Sequence, residues 1–185
     1  MSVADEYLVR PFEPADAVSM YAAVRASLPD LAEWMPWCTP DYALEQAESW
    51  VAFTQQAWAE RTQFPLAIVE RASGAVAGGV GINQIGWAHR VGNIGYWVSA
   101  PHRGRGVARF ASQQAALLGF SELGLTRLEI VTLPHNTASQ RVAESLGATR
   151  EGMARNRLVV HGVAHDAVMY SLVPADVAGW GGVVR

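Results

Sequence analysis

The sequence is short of several things, and each shortage excludes a class of protein. Cysteine occurs once, at Cys38, so no intramolecular disulfide can form and a reducing, cytoplasmic setting is expected. No apolar run reaches the roughly 18–20 residues that a membrane-spanning helix needs, and no membrane partner is expected. The opening residues, MSVADEYLVR, show no basic start followed by an apolar stretch, so no secretory leader is expected. Basic residues are outnumbered, 14 against 17 acidic ones, giving a formal net charge of −3 and a sequence pI near 5.9. That balance does not suit a nucleic-acid partner. The five histidines give no metal-ligating pattern. His161 and His165 stand four apart, but Gly162 between them signals a turn instead of a helix face, so no metal is expected. Repeats, low-complexity stretches and an obvious linker are missing too.

What remains is a chain of 185 residues, half of them apolar. That length and composition suit one domain over residues 1–185, with a core over about 7–173 and a tail from 174. YLVRPF reads as an opening strand ended by Pro11. EPADAVSMYAAVRASL reads as a helix, with Pro14 in its first turn and Val18, Tyr21, Ala22 and Arg25 at helical spacing. PDLAEWMPWCTPD predicts a short helical turn or a loop. Asp41 can cap a second helix, YALEQAESWVAFTQQAWAER, on which Ala43, Ala47, Trp50, Val51, Thr54 and Trp58 form a stripe. FPLAIVE and VAGGVGINQI predict a hairpin turning at Gly74, and RVGNIGYWVSA predicts a further strand weakened by its glycines. A helix from Gly106 to about Leu123, the strand TRLEIVTL and a helix from Asn136 to Gly147 follow, then a hairpin turning near His161. The order β-α-α-β-β-β-α-β-α-β-β predicts an α/β (α+β) fold, a mixed sheet flanked by helices. The tail AGWGGVVR has no pattern and is expected to be mobile.

The chemistry is carried by PHRGRGVARF, Pro101 to Phe110. Free N–H groups at a helix N-terminus, aided by the helix dipole, hold a phosphate when the preceding loop lets the main chain come close. Gly104 and Gly106 give that access, Arg103 and Arg105 add charge suited to phosphate oxygens, and an Ala-rich helix follows at once. A P-loop is excluded because no Lys-Ser or Lys-Thr follows. A dinucleotide fingerprint is excluded because Phe110 onward does not complete it. A nucleic-acid RG segment would be longer and repeated. Taken alone, the stretch fits either a pyrophosphate site or a glycine-rich loop with solvated arginines.

From Arg103 the run RGRGVA fits the pattern [QR]-x-x-G-x-[GA], and IGYWVSAPHRGRGVA fits a whole strand-loop-helix segment. At this point the sequence resembles the GCN5-related N-acetyltransferases, the GNAT superfamily. LPHNTASQRVAESLGA is similar to the family's second motif in the N-x-x-S form of its RimJ/RimL-like branch. EWMPW and the C-terminal pattern of Gly152, Arg155, Gly162, Asp166 and Tyr170 to Leu172 belong to the same branch. The resemblance covers roughly Tyr7 to Val173. It implies a mostly antiparallel central sheet of about seven strands, with strands four and five splayed, flanked by about four helices. It implies acetyl-CoA as cosubstrate. Val98 would pair with the pantetheine arm, and the N–H groups of Arg103, Gly104, Arg105, Gly106, Val107 and Ala108 would bind the phosphates. Asn136 would cap its helix and bond the CoA arm. The implied reaction is direct acetyl transfer to a primary amine in a ternary complex. A protein N-terminal α-amine is the first expectation, with ribosomal proteins the family-level choice. A small amine (an amino acid, antibiotic or nucleotide-conjugate toxin) is the second. A CoA-binding regulatory module without turnover is the reading from another class, and a homodimer is compatible with the family.

Transfer needs a neutral amine, a polarised carbonyl and a proton for the departing thiolate. The backbone N–H near Val98 is the candidate to polarise the carbonyl. Many relatives carry a tyrosine seven residues after the motif asparagine, but here that position is Ala143. Ser139 is the substitute that the branch implies; the alternative is a first-turn serine bonding the backbone. Glu129 is the candidate base, with a salt bridge to Arg127 or Arg141 as the alternative, and Glu33 is a weaker candidate. An α-amine, with a free pKa of about 8, can also lose its proton to water. Cys38 lacks a base partner and is not expected as a nucleophile. Trp34 and Trp37 are either core residues or walls of the acceptor channel, stacking on a peptide N-terminus or a flat ring. Trp87 and His89 can border the same mouth. No acid cluster marks a polyamine or aminoglycoside pocket.

Overall fold

A computed structural model describes residues 2–180. A short helix, α1 (Val3–Glu6), absent from the expected order, precedes strand β1 (Tyr7–Pro11). Three helices follow: α2 (Asp16–Ala26), the single-turn α3 (Leu28–Ala32) and α4 (Leu44–Glu60). Strands β2 (Phe64–Glu70), β3 (Val76–Gly86) and β4 (Val91–Val98) run as a meander. Helix α5 (Val107–Leu117) leads through a π turn to β5 (Arg127–Thr132). Helix α6 (Thr137–Ser145) and the long hairpin of β6 (Thr149–Val160) and β7 (Val163–Leu172) complete the order.

The seven strands lie in the order β1-β2-β3-β4-β5-β7-β6. Every neighbouring pair is antiparallel except β4 and β5. Those two pair only over Val91–Asn93 and Arg127–Glu129. Beyond that point β4 stays with β3 and β5 stays with β7. The sheet therefore forks after Asn93, and Ile94 to Val98 keep an open backbone edge. This is the splay that the family resemblance implies.

Strand alternation divides the side chains between two cores. On β5, Leu128, Ile130 and Thr132 are buried, while Arg127, Glu129 and Val131 face the other side half-exposed. Leu128 and Ile130 join Ile82, Ile94, Val107 and Ala111 in the main core, on the face that α5 covers. Met20, Val24, Tyr42, Ala47 and Val51 pack with Ala67 and Val69 on the opposite face, under α2 and α4. Burying a leucine such as Leu128 completely is worth about 1.5–3 kcal/mol.

Two helix expectations need correction. The buried face of α2 is Ala17, Met20 and Val24, one position away from the expected stripe, and Val18 is 65% exposed. Arg10 and Asp16 explain the rotation. Asp16 is buried in a two-pronged bond to Arg10 at 2.7 and 2.8 Å, which fixes how the helix turns onto the sheet. Helix α4 is capped at Ala43 instead of Asp41, because Gln46 Oε1 accepts from the Ala43 N–H at 2.7 Å. At the C-terminal end, Pro174–Val177 form a single 3-10 turn, Val177 is buried and Trp180 packs on the main core. Of the tail AGWGGVVR, residues 178–180 are described and carry no helix or strand, and residues 181–185 lie outside the described residues.

Candidate active site

The open edge of β4 leads straight into the glycine–arginine loop. Gly104 and Gly106 have φ of +70° and +79°, and Gly106 is the N-cap of α5. A Cβ on Gly104 would meet nothing within 4 Å, and one on Gly106 only Val3 Cγ2 at 3.5 Å. Backbone conformation, not crowding, therefore demands glycine, and another residue in this region costs about 1–2 kcal/mol. The N–H groups of Gly104 to Ala108 find no acceptor among the described residues. They are the orphan donors of a helix start, together with those of the turn before it.

Both arginines are already engaged. Arg103 donates from Nε to the Val98 carbonyl at 2.9 Å and from Nη1 to Asp30 at 2.7 Å, tying the end of β4 to α3. Arg105 pairs with Glu6 and lies over the Tyr7 ring at 5.7 Å. His102 Nδ1 meets the Tyr7 hydroxyl at 2.8 Å. The side chains brace the loop against α1, α3 and β1, and its main-chain N–H groups are left unpaired.

Ser139 and Asn136 sit across the fork, at the start of α6. Asn136 Oδ1 accepts from the Ser139 N–H at 3.0 Å, a cap worth about 1 kcal/mol. The Asn136 Nδ2 group has no acceptor among the described residues. Ser139 Oγ lies 2.8 Å from the hydroxyl of Tyr96, which also donates to the Ser139 carbonyl at 3.1 Å. Tyr96 is on the open stretch of β4, so this contact spans the fork. Burial pushes the Tyr96 hydroxyl up to about 12, and the bond to Ser139 only partly offsets it. The group therefore stays protonated at neutral pH. The sequence reading missed Tyr96; its alternation with Ile94 and Val98, toward the same face, was the available signal. Ala143, where many relatives place a tyrosine, is 0% exposed in the main core.

Glu129 is the last β5 residue before the fork, in register with Asn93. Its carboxylate accepts from Arg127 at 3.1 Å and lies 3.8 Å from Arg157. Arg127 also holds Glu151, whose carboxyl that bond keeps down at about 2. The salt bridge to Arg127 is thus present, while none joins Glu129 to Arg141. Glu33 is exposed, away from the fork's pairing. Cys38 is buried, and that burial pushes its thiol up, against a nucleophilic thiolate.

A pocket of about 570 Å³ opens on the face of β3 and β4 that α2 and α4 cover. Gly81 and Gly95 lie on its floor, and Trp37, Tyr42, Trp50, Phe53 and Trp97 form its walls. Trp97 can lie flat because its neighbour is Gly79, where an added Cβ would come within 2.7 Å of the indole nitrogen. Trp37 is 40% exposed and meets Trp97 edge-on at 6.0 Å. Trp34 is not on this wall. It packs on His135 at 5.2 Å, bridging from the α3 segment to the loop after β5. The tip of the β6–β7 hairpin reaches the same segment, with His161 Nε2 donating to the Ala32 carbonyl at 3.0 Å. Trp87 packs on Phe64 and Arg61, and neither it nor His89 lines the pocket.

Among the described residues no helix is long and apolar enough to cross a membrane, and no cluster of three or more His, Cys, Asp or Glu side chains could hold a metal. Comparison with known proteins agrees with the fork. The family described as Acetyltransferase (GNAT) domain matches residues 7–149. YdaF of Bacillus subtilis (strain 168), provisionally named a ribosomal N-acetyltransferase, is 26% identical over 178 residues, 96% of each chain. A Vibrio cholerae structure, provisionally described as a ribosomal-protein-serine acetyltransferase, superposes with a TM-score of 0.81 at 28% identity. That alignment covers 94% of this chain and 100% of the other. The microcin C7 self-immunity acetyltransferase MccE, solved with acetyl-CoA and AMP, gives 0.83 at 23% identity over 91% of this chain and 93% of its own. At that identity the likeness to MccE speaks for the fold alone. Since the family match spans most of the sequence and the sheet forks where that fold forks, the chain belongs to the GNAT family of N-acetyltransferases.

Proposed function

We propose that the chain transfers the acetyl group of acetyl-CoA to a primary amine, and that its acceptor class is the N-terminal α-amine of a protein. One observation carries the reading: the open edge of β4 runs from the fork into a row of unpaired N–H groups, while an uncharged pocket opens on the other face of the same strand. Acetyl-CoA, when bound, supplies the activated acetyl thioester. The N–H groups of Gly104 to Ala108 fit its pyrophosphate, and the Val98 end of β4 and the Asn136 amide fit the arm that must lie along the fork. The pocket then presents the amine from the opposite face, which supports direct transfer between two substrates held together. The hydroxyl groups of Ser139 and Tyr96 sit where the sheet opens, as neutral donors for a departing sulfur. Glu129 is assigned as the brace of the fork, since its carboxylate is taken up by Arg127 and Arg157.

The names of YdaF and of the Vibrio cholerae protein, a ribosomal N-acetyltransferase and a ribosomal-protein-serine acetyltransferase, support a protein acceptor. A small amine bearing a flat ring is the second reading, favoured by the aromatic walls. The test is release of free thiol from acetyl-CoA with a panel of peptides, their N-terminally blocked counterparts and small amines. Release with free N-termini and none with blocked ones is expected. CoA binding without thiol release for any acceptor would overturn the reading in favour of a regulatory module.

A further inference from the structure

We infer that the pocket selects its acceptor by basicity, accepting an α-amine of low pKa that stands beside a large uncharged side chain. This rests on the acetyl-transfer reading above and adds what kind of N-terminus is taken. The polar side chains on the wall are Gln46, Ser49, Gln63, Asn83 and Tyr42; the side chain of Tyr96 points to the opposite face, toward Ser139. Among the described residues no Asp, Glu, Lys, Arg or His lines it. Burial pushes the Tyr42 hydroxyl up to about 12, so it supplies no negative charge at neutral pH. The carboxylate nearest the fork, Glu129, is off the wall and held by Arg127 and Arg157.

An ammonium entering such a pocket loses its water and gains no counter-charge, so it enters as the free base. The cost of reaching that form depends on the amine. At a pH of about 7.5, an α-amine with a pKa of about 7.7–8.0 is roughly one-quarter to two-fifths neutral, whereas a lysine-type amine with a pKa near 10.4 is neutral in only about one molecule in 800. The pocket therefore favours the α-amine by about 200- to 300-fold before any contact is counted. It also removes the need for a carboxylate to deprotonate the amine before attack; the proton that nitrogen sheds as the C–N bond forms is the one the departing sulfur takes up as the C–S bond breaks. The rest of the cavity, with Trp37, Trp50, Phe53 and Trp97 among its walls and of a size typical for small-ligand sites, suits an apolar or aromatic first side chain and penalises an acidic one.

The test uses the full chain and three peptides of otherwise equal sequence. One starts with Phe and has a free α-amine. One starts with Asp. One starts with N-acetylated Phe and offers a lysine as its sole amine. The chain contains no lysine, so its own side chains add no ε-acetylation signal. The expected kcat/KM for the free Phe peptide exceeds that for the lysine peptide by 200-fold or more, and that for the Asp peptide by at least tenfold. In Gln46→Glu, which keeps the capping contact to Ala43 that Gln46 makes, the α-over-ε preference is expected to fall at least tenfold. A preference under tenfold in the wild type, or a preferred Asp peptide, overturns the inference while leaving acetyl transfer standing. An unchanged preference in a folded Gln46→Glu overturns the part assigned to the missing charge. No turnover with any peptide, with CoA still bound, overturns the inference together with the reading beneath it.

Discussion

Tyr96→Phe removes one oxygen atom and tests the geometry of the fork. The hydroxyl bonds Ser139 twice, at 2.8 Å to Oγ and 3.1 Å to the carbonyl. Losing it removes about one net hydrogen bond and leaves a half-buried partner unsatisfied, for a destabilisation of about 1–2 kcal/mol near pH 8. The same hydroxyl sits at about 12 in the folded chain because it is buried, against an ordinary 10. A folded value above the unfolded one means that the stability contribution is complete below pH 10 and is lost as the pH climbs toward 12. Near pH 11 the unfolded chain has mostly ionised this group and the folded chain has not, which costs the wild type about 1.4 kcal/mol. Phenylalanine carries no such loss. The penalty of the substitution should therefore shrink by about 1.4 kcal/mol between pH 8 and pH 11, bringing the two proteins close to equal stability. Urea unfolding at the two pH values reads this directly. Tyr7, Tyr42 and Tyr170, also pushed up by burial, are common to both proteins and cancel in the difference. A penalty that stays the same at both pH values would refute a buried Tyr96 hydroxyl at the fork.

Gly106→Val forces a β-branched residue to φ of +79° and should abolish CoA binding in calorimetry, whereas Arg105→Ala, which loses a surface pair to Glu6, should weaken it less than tenfold. Equal losses in the two variants would return the phosphate role to the arginine. Ser139→Ala should lower kcat about tenfold or more with little change in acetyl-CoA affinity, and an unchanged kcat would remove Ser139 from the reaction. Glu129→Gln should lower the melting temperature modestly by taking one partner from Arg127, which keeps Glu151, and one from Arg157, which keeps Gln84, with the pH dependence of kcat/KM unaltered. A pH limb that disappears in this variant would make Glu129 the base after all.

Much of the fold was legible because strands and helices carry their own periods. The β2–β3 hairpin, the helix opening at Gly106, the capped start of α6 and the His161-Gly162 turn all fall where residue patterns put them. The face of α2 was not legible, because a buried Arg10–Asp16 pair turned the helix and a charge in a core leaves no mark on an apolar stripe. The conformation of the glycine–arginine loop was readable from its glycines, but the work of its arginines was not, since Asp30 and Glu6 lie far away in sequence. Tyr96 escaped for the same reason: its importance comes from Ser139, 43 residues on. Trp34 and Trp37, three apart in sequence, part ways in space, one to His135 and the other to the pocket. Most of the pocket's aromatic wall is assembled from α4 and β4, and no local spacing joins those elements.

The fork also sets the mechanical character of the protein. Its two halves, β1 to β4 and β5 to β7, are stitched directly by three residue pairs, Val91–Asn93 against Arg127–Glu129. A tensile load applied across the sheet would concentrate at that seam, as stress does at the tip of a notch. The Tyr96–Ser139 bond acts as a guy-line a few residues above the notch, and the Arg157–Gln84 contact at 3.2 Å ties the far hairpin back to β3 from the other side. A ligand that added backbone bonds along Ile94 to Val98 would lengthen the stitching and blunt the notch. Compliance under load, and not only affinity, is then a property that occupancy of the cleft controls.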